Sequence, residues 1–231
     1  MPMTSAPSLN VLTIDGPAAS GKSSVSRELA RRFGWKWVST GAFYRGLAYV
    51  AIQEQVSLAD SAKLCALAAS PIWSVRLCDD ITRVFYRDQD VTVPVLSEEN
   101  GLNASQVSQI PAVRQALLEN QRRCAVGVPG LVAEGRDCGT VVFPQALLKI
   151  FLTASQERRA LRRALEQGLN VEETKSQQAT RDRQDSSRAA APLQVPPGAR
   201  VVDSGEMSLA EVVDTIYSWA KQAMAQGVKS F

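Results

Sequence analysis

Residues 16–23 read Gly16-Pro17-Ala18-Ala19-Ser20-Gly21-Lys22-Ser23, a G-x-x-x-x-G-K-S loop directly after the apolar run at 9–14. Such a loop works only where a strand delivers it and a helix leaves it, so that successive backbone N–H groups converge on an anion. Both flanks are present. Residues 11–14 are apolar and β-branched, and Val25, Leu29 and Phe33 recur at helical spacing beyond the loop. The glycines permit the tight turn and the close approach of backbone to phosphate. Lys22 can reach the outer phosphates, and the Ser23 hydroxyl can ligate Mg²⁺. This pattern points to a nucleoside triphosphate held on a strand–loop–helix unit.

A chain of 231 residues with 45% hydrophobic content can bury a full core as one domain. Its 26 basic and 23 acidic residues leave a formal charge of only +3, which does not imply a bulk nucleic-acid binder. No run is long and apolar enough to span a bilayer, and the polar stretch 1–8 lacks a signal-peptide pattern. The four cysteines (Cys65, Cys78, Cys124, Cys138) show no C-x-x-C spacing and read as thiols in a reducing cytoplasm. Histidine is absent, which removes His-based catalysis and His-ligated metals. Phosphoryl transfer survives that loss, because it rests on positioning and charge.

Strand and helix patterns alternate along the chain. Strands are expected at 36–39, 130–133, 147–152 and 200–203, and helices at 41–55, 60–69, 98–108 and 111–126, the last opened by Pro111. Residues 72–78, 81–87 and 91–93 read as three short antiparallel strands, separated by turn signals at Asp79-Asp80 and at 88–90. Residues 155–167 and 171–191 form a charged, arginine-rich helical pair around Gly168, poor in large apolar residues and suited to a flap. Ser208-x-x-Glu211 is a capping box before a final helix over 208–225. The expected fold is an α/β three-layer sandwich with a mainly parallel central sheet, a small antiparallel insert and a helical lid.

A P-loop alone admits a GTPase, a motor ATPase or a small-molecule kinase. The nearest match to a guanine-reading motif, Thr174-Lys175-Ser176-Gln177, lacks the aspartate. Three further clusters favour a kinase with a small anionic acceptor. Thr40-Gly41-Ala42-Phe43-Tyr44-Arg45 lies at a strand–helix junction, and Gly135-Arg136-Asp137-Cys138-Gly139-Thr140 follows another strand. Asp185-Ser186-Ser187-Arg188 closes the flap. Arginines so placed suit a bidentate phosphate clamp.

With these motifs assembled, the chain resembles the bacterial cytidylate kinases over nearly its whole length. The resemblance is carried by the P-loop, T-G-A-F-Y-R at 40–45, N-A-S-Q-V at 103–107, G-R-D-x-G-T-V-V-F at 135–143 and R-D-x-x-D-S-x-R at 181–188. It implies one kinase domain over 1–231, with a core of 9–40, 109–154 and 193–231. A monophosphate-binding insert would occupy about 41–108, and a lid about 155–192. Ser105, Arg114 and Asp137 would read cytosine. Arg45, Arg136 and Arg188 would hold the acceptor phosphate, with Thr40 and Tyr44 nearby, and Arg181 and Asp185 would approach the sugar and the transferring group. ATP would lie on residues 16–23 and Ser24, with Arg158 and Arg162 from the lid.

Glu134 stands where the family often has aspartate, a position implied to organise magnesium-bound water, and Thr40 stands where it often has serine. The chemistry suits cytosine, whose exocyclic amine can donate to Asp137 while arginine and serine donate to its ring acceptors. Uracil would set a carbonyl against Asp137, leaving buried polar groups unpaired. The implied reaction is ATP·Mg²⁺ plus CMP or dCMP giving ADP plus CDP or dCDP. Lys22, Arg136, Asp185 and Arg188 would be catalytic, and Ser23 the protein ligand of Mg²⁺. The expected partners are small nucleotides alone, with no nucleic acid and no membrane, around a cytoplasmic monomer. UMP or AMP kinases of the same fold, and a regulatory P-loop ATPase, remain the competing readings.

Overall fold

The computed structural model describes residues 10–78, 81–168 and 170–227, without the side chains of 166, 167, 177, 181 and 227. The Asp79-Asp80 turn signal and the polar stretch 1–8 therefore lie outside the described residues. Strands β1 (Val11–Asp15) and β2 (Lys36–Ser39) flank helix α1 (Lys22–Phe33), as the P-loop pattern requires. Every residue of β1 is buried, as expected of a strand covered on both faces of a parallel sheet. Helix α1 starts from Gly21 at φ 90° and stops at Gly34 at φ 64°, left-handed positions that suit glycine.

Helices α2 (Gly41–Gln53) and α3 (Ser61–Ala68) lead into β3 (Trp73–Leu77), β4 (Thr82–Tyr86) and β5 (Gln89–Asp90). These three strands form a separate antiparallel sheet in the order β3-β4-β5. The third strand is not at 91–93. Arg87 and Asp88 take φ 48° and 62°, making a two-residue turn that pairs Tyr86 with Gln89 at once. Asp90 then accepts from the Thr92 N–H at 2.9 Å, and Thr92–Val95 coils into a short helix α4.

Helix α5 (Glu98–Val107) is capped by Ser97 and α6 (Pro111–Arg123) opens on proline. The chain continues through β6 (Leu131–Gly135), a π turn (Cys138–Val142) and β7 (Leu148–Thr153). Helices α7 (Gln156–Gln167) and α8 (Val171–Ser186) form a hairpin, and β8 (Arg200–Asp203) and α9 (Leu209–Gly227) end the described chain. Helix α8 stops five residues before the expected end at 191. Beyond it Ala191 takes φ 53°, and the Leu193 N–H turns back to the Asp185 carbonyl at 2.8 Å. The capping box forms as expected, Ser208 N–H donating to Glu211 Oε2 at 2.8 Å.

The main sheet runs β2-β6-β1-β7-β8 with every pair parallel. One hydrophobic cluster joins a sheet face to α2, α6 and the antiparallel sheet; the other joins the opposite face to α1 and α9. These are the three expected layers. Trp37 and Phe143 are buried as packing residues, and Trp35 stacks on Phe33 with ring centroids 4.8 Å apart. All four cysteines are thiols, with Cys138 fully buried. Among the described residues no helix is long and apolar enough to cross a membrane.

Candidate active site

The carboxyl ends of β1, β2 and β6 open into one cleft, roofed by α5 on one side and by the α7–α8 hairpin on the other. At the end of β1 the P-loop packs tightly. Gly16 sits at φ 151°, where a Cβ would fall on the Leu152 carbonyl oxygen of β7, so glycine is required. Ala19 also takes a left-handed φ of 56°. Ser20 is buried, and its carbonyl accepts from Ser204 Oγ at 3.2 Å; Ser24 follows Ser23 on α1.

Lys22 reaches back over the loop, donating to the Pro17 carbonyl at 2.5 Å. Burial draws its pKa down to about 7, the Arg136 charge adding to the effect against Glu134, Asp15 and Asp185. Ser23 donates to Glu134 Oε1 at 2.7 Å. A hydroxyl and a carboxylate are hard oxygen donors, the set that fits Mg²⁺ alongside phosphates. No group of three or more Cys, Asp or Glu gathers as a metal cage among the described residues.

Opposite the P-loop stand the expected arginines. Arg45 of α2 donates to the Val95 and Ser97 carbonyls at 3.2 and 2.9 Å. Arg136, just past β6, donates to Asp185 Oδ2 at 2.7 Å. Burial works against its charge, but Asp185 outweighs that and lifts its pKa. Arg188 lies 3.7 Å from Asp185 Oδ1 and is buried, which lowers its pKa. Its Nε and Nη2 have no partner among the described residues. Arg188 and Lys22 line the same cleft, and a buried guanidinium with open donors has the chemistry to take an anion.

The base-reading candidates also converge. Arg114 of α6 pairs with Asp137, both nearly fully buried, and donates to the Ser108 carbonyl at 3.2 Å. Its guanidinium lies 5.1 Å from the centre of the Tyr44 ring. Burial pushes the Tyr44 hydroxyl up to about 12, so it stays protonated. Ser105 lines the cleft and donates to the Gly101 carbonyl at 3.1 Å. Thr40 is buried, its hydroxyl donating to the Glu134 carbonyl at 2.9 Å.

The arginines of α7 divide by helix face. Arg158 pairs with Glu206 at 2.5 Å, outside the cleft, while Arg162 donates to Ser204 Oγ at 3.1 Å and lies beside the P-loop, its Nη1 3.9 Å from where a Cβ on Gly21 would stand. Arg159 and Arg163, four residues apart on the neighbouring face, turn inward. Arg159 donates to the Ala18 carbonyl at 3.1 Å and pairs with Asp182 at 2.7 Å. Arg163 lines the cleft and pairs with Glu98 of α5 at 2.9 Å. The packed face of α7 is marked by Ala160 and Ala164 while the larger Leu161 and Leu165 stand exposed, so the apolar pattern of the sequence does not tell the arginine faces apart. Arg181 falls on α8, and its side chain lies outside the described residues.

Asp15 had no place in the sequence reading. It is fully buried, and its carboxylate accepts from the Cys138 and Gly139 N–H groups, both at 2.7 Å. Burial raises its pKa to about 6 against those two bonds. Its only sequence signal is its place directly before the P-loop.

A cytidylate kinase from Bdellovibrio bacteriovorus is 58% identical over 211 residues, covering 91% of this chain and 97% of its own. One from Pseudomonas paraeruginosa is 45% identical over 219 residues, covering 92% and 95%. Among solved structures, a gluconokinase from Sinorhizobium meliloti shares the fold at TM-score 0.50 with 14% identity, covering 98% of this chain and all of its own. With a family model for cytidylate kinase matching residues 12–222, the chain belongs to the cytidylate kinase family.

Proposed function

We propose that the chain transfers the γ-phosphoryl group of ATP to CMP or dCMP, yielding ADP and CDP or dCDP. The observation that carries the reading is Arg188, buried in the same cleft as Lys22 with two N–H donors unpartnered among the described residues. A P-loop ATPase without an acceptor has no use for that second anion site.

In this reading the loop N–H groups and Lys22 hold the donor phosphates. Ser23, backed by Glu134, offers the oxygen donors for Mg²⁺, which when bound neutralises phosphate charge. Arg45, Arg136 and Arg188 hold the acceptor phosphate, with Thr40 and Tyr44 beside it. Ser105, Arg114 and Asp137 read the cytosine, and Asp185 serves the sugar and the transferring group, where the family resemblance also assigns Arg181. An acceptor phosphate oxygen forms a bond to the γ-phosphorus as the bond to the β,γ-bridging oxygen breaks, and ADP leaves with that electron pair. The acceptor oxygen is already anionic, its second pKa being about 6, so no side chain need act as base.

The α7–α8 hairpin is the lid of this reading, and 41–108 the acceptor arm. The cleft between them holds about 260 Å³. The same reading makes the protein a cytoplasmic monomer, which light scattering of the purified chain checks. ADP release measured with CMP, dCMP, UMP and AMP tests the function. CMP and dCMP should lead by about tenfold or more in kcat/KM. Equal use of AMP would remove the cytidine assignment, and ATP turnover indifferent to every monophosphate would establish a regulatory ATPase.

A further inference from the structure

The parallel ladder between β1 and β6 ends at Asp15 opposite Gly135. Past that point the β6 chain carries Arg136 and Asp137 and enters the π turn, where backbone ladder partners cease. Asp15 replaces them with its side chain, one oxygen on the Cys138 N–H and the other on the Gly139 N–H, each at 2.7 Å. Bonds from N–H groups to a carboxylate are stronger than neutral ones and fix direction. The turn also sits close to β1. A Cβ on Gly139 would stand 2.9 Å from Thr13 Oγ1, 3.1 Å from Pro196 Cγ and 3.2 Å from Asp15 Oδ2. On its other side, Asp15 is joined by one peptide bond to Gly16 of the P-loop.

We propose that Asp15 is a positioning residue for the acceptor: it fixes where Arg136 and Asp137 stand relative to the donor-phosphate loop. The proposal rests on the reading of those two residues as acceptor contacts. Its physical content is registration. In-line transfer needs the two phosphates aligned within a fraction of an ångström, and a shift of about 1 Å can cost on the order of a hundredfold in rate. Here one carboxylate ties the end of the donor strand to the turn that carries the acceptor contacts, so the two sites cannot drift apart independently.

Asp15→Asn tests this, since its amide keeps one accepting oxygen and turns an NH₂ toward the second N–H. Gly139→Ala presses on the same junction from the turn side. Both should raise the KM for CMP by about tenfold and narrow the CMP-over-UMP preference, with ATP affinity held within about twofold. Asp15→Ala should go further in the same direction; if it does not fold, the other two variants decide. The double variant Asp15→Asn/Gly139→Ala should be less than additive, because both act on one junction. An unchanged KM for CMP in both single variants would overturn the proposal. So would an equal loss of ATP and CMP affinity, the mark of a general loosening of β1. Asp137→Ala separates the underlying reading: if it leaves the CMP-over-UMP preference intact, base reading by Asp137 fails, while the CMP KM still judges Asp15 through Arg136.

Discussion

Ser23 donates a hydrogen bond to Glu134 Oε1 at 2.7 Å, joining the second residue of α1 to strand β6. A carboxylate behind a metal-facing hydroxyl orients it and adds charge. Glu134→Gln keeps the shape and removes the charge. It should raise the Mg²⁺ concentration for half-maximal activity by about tenfold or more. A titration midpoint that does not move would take Glu134 out of the ion's surroundings.

Lys22, drawn down to about 7 by burial and by Arg136, should regain its proton against polyphosphate. ATP binding at pH 8 should then take up about one proton, visible by calorimetry in buffers of different ionisation enthalpy. The stability sign follows from the same shift. The folded pKa lies below the 10.5 of the free side chain, so the unfolded chain binds more protons between about 7 and 10. The cost of burying Lys22 is full below pH 7 and is relieved as pH rises through that window. Lys22→Met should abolish the proton uptake.

The Arg114–Asp137 pair should separate stability from selectivity. Arg114→Met leaves a buried carboxylate without its cation and should cost about 3–5 kcal/mol, a fall of roughly 10 °C or more in Tm. Arg114→Met/Asp137→Leu should recover most of that loss while leaving no preference for CMP over UMP. A double variant as unstable as the single one would show that the pair holds the fold by its own attraction.

The inward face of α7 predicts unequal arginines. Arg159→Ala should lower kcat by about a hundredfold or more, because it removes a guanidinium from beside the P-loop. Arg158→Ala, breaking only a half-exposed pair with Glu206, should stay within about threefold. Equal losses in the two would put the lid's active face elsewhere.

Arg163 of α7 and Glu98 of α5 pair at 2.9 Å. Amides of α7 and α8 should exchange faster than those of β1 and β6, and a bisubstrate analogue should slow them more than either nucleotide alone. Glu98→Gln should speed that exchange in the free protein. Exchange that is slow throughout and indifferent to the analogue would make the hairpin fixed structure.

The parts legible in the sequence were those with local causes. The P-loop demands glycine at Gly16 and Gly21, and the buried strands of the main sheet have no substitute for continuous apolar runs. Residues 91–93 misled because Val91, Thr92 and Val93 carry β-branched side chains, yet the Asp90 cap and the two-residue turn at Arg87-Asp88 decide their state. Asp15 was invisible because its partners lie 123 and 124 residues away, and no spacing rule reaches that far. The arginine faces of α7 were hidden because its large apolar residues, Leu161 and Leu165, stand exposed while the small Ala160 and Ala164 are buried.

Neither hydrophobic cluster takes a described residue from α7 or α8. The hairpin holds to the rest of the chain through polar contacts, Arg159 on Ala18, Arg162 on Ser204 and Arg163 on Glu98. Asp185 of α8 adds its bond to Arg136, so the positions that matter most in the hairpin are these polar ones. A protease that nicked it would leave both clusters whole, and the cut protein would melt much as before. It would still grip ATP, having lost the means to shut water out.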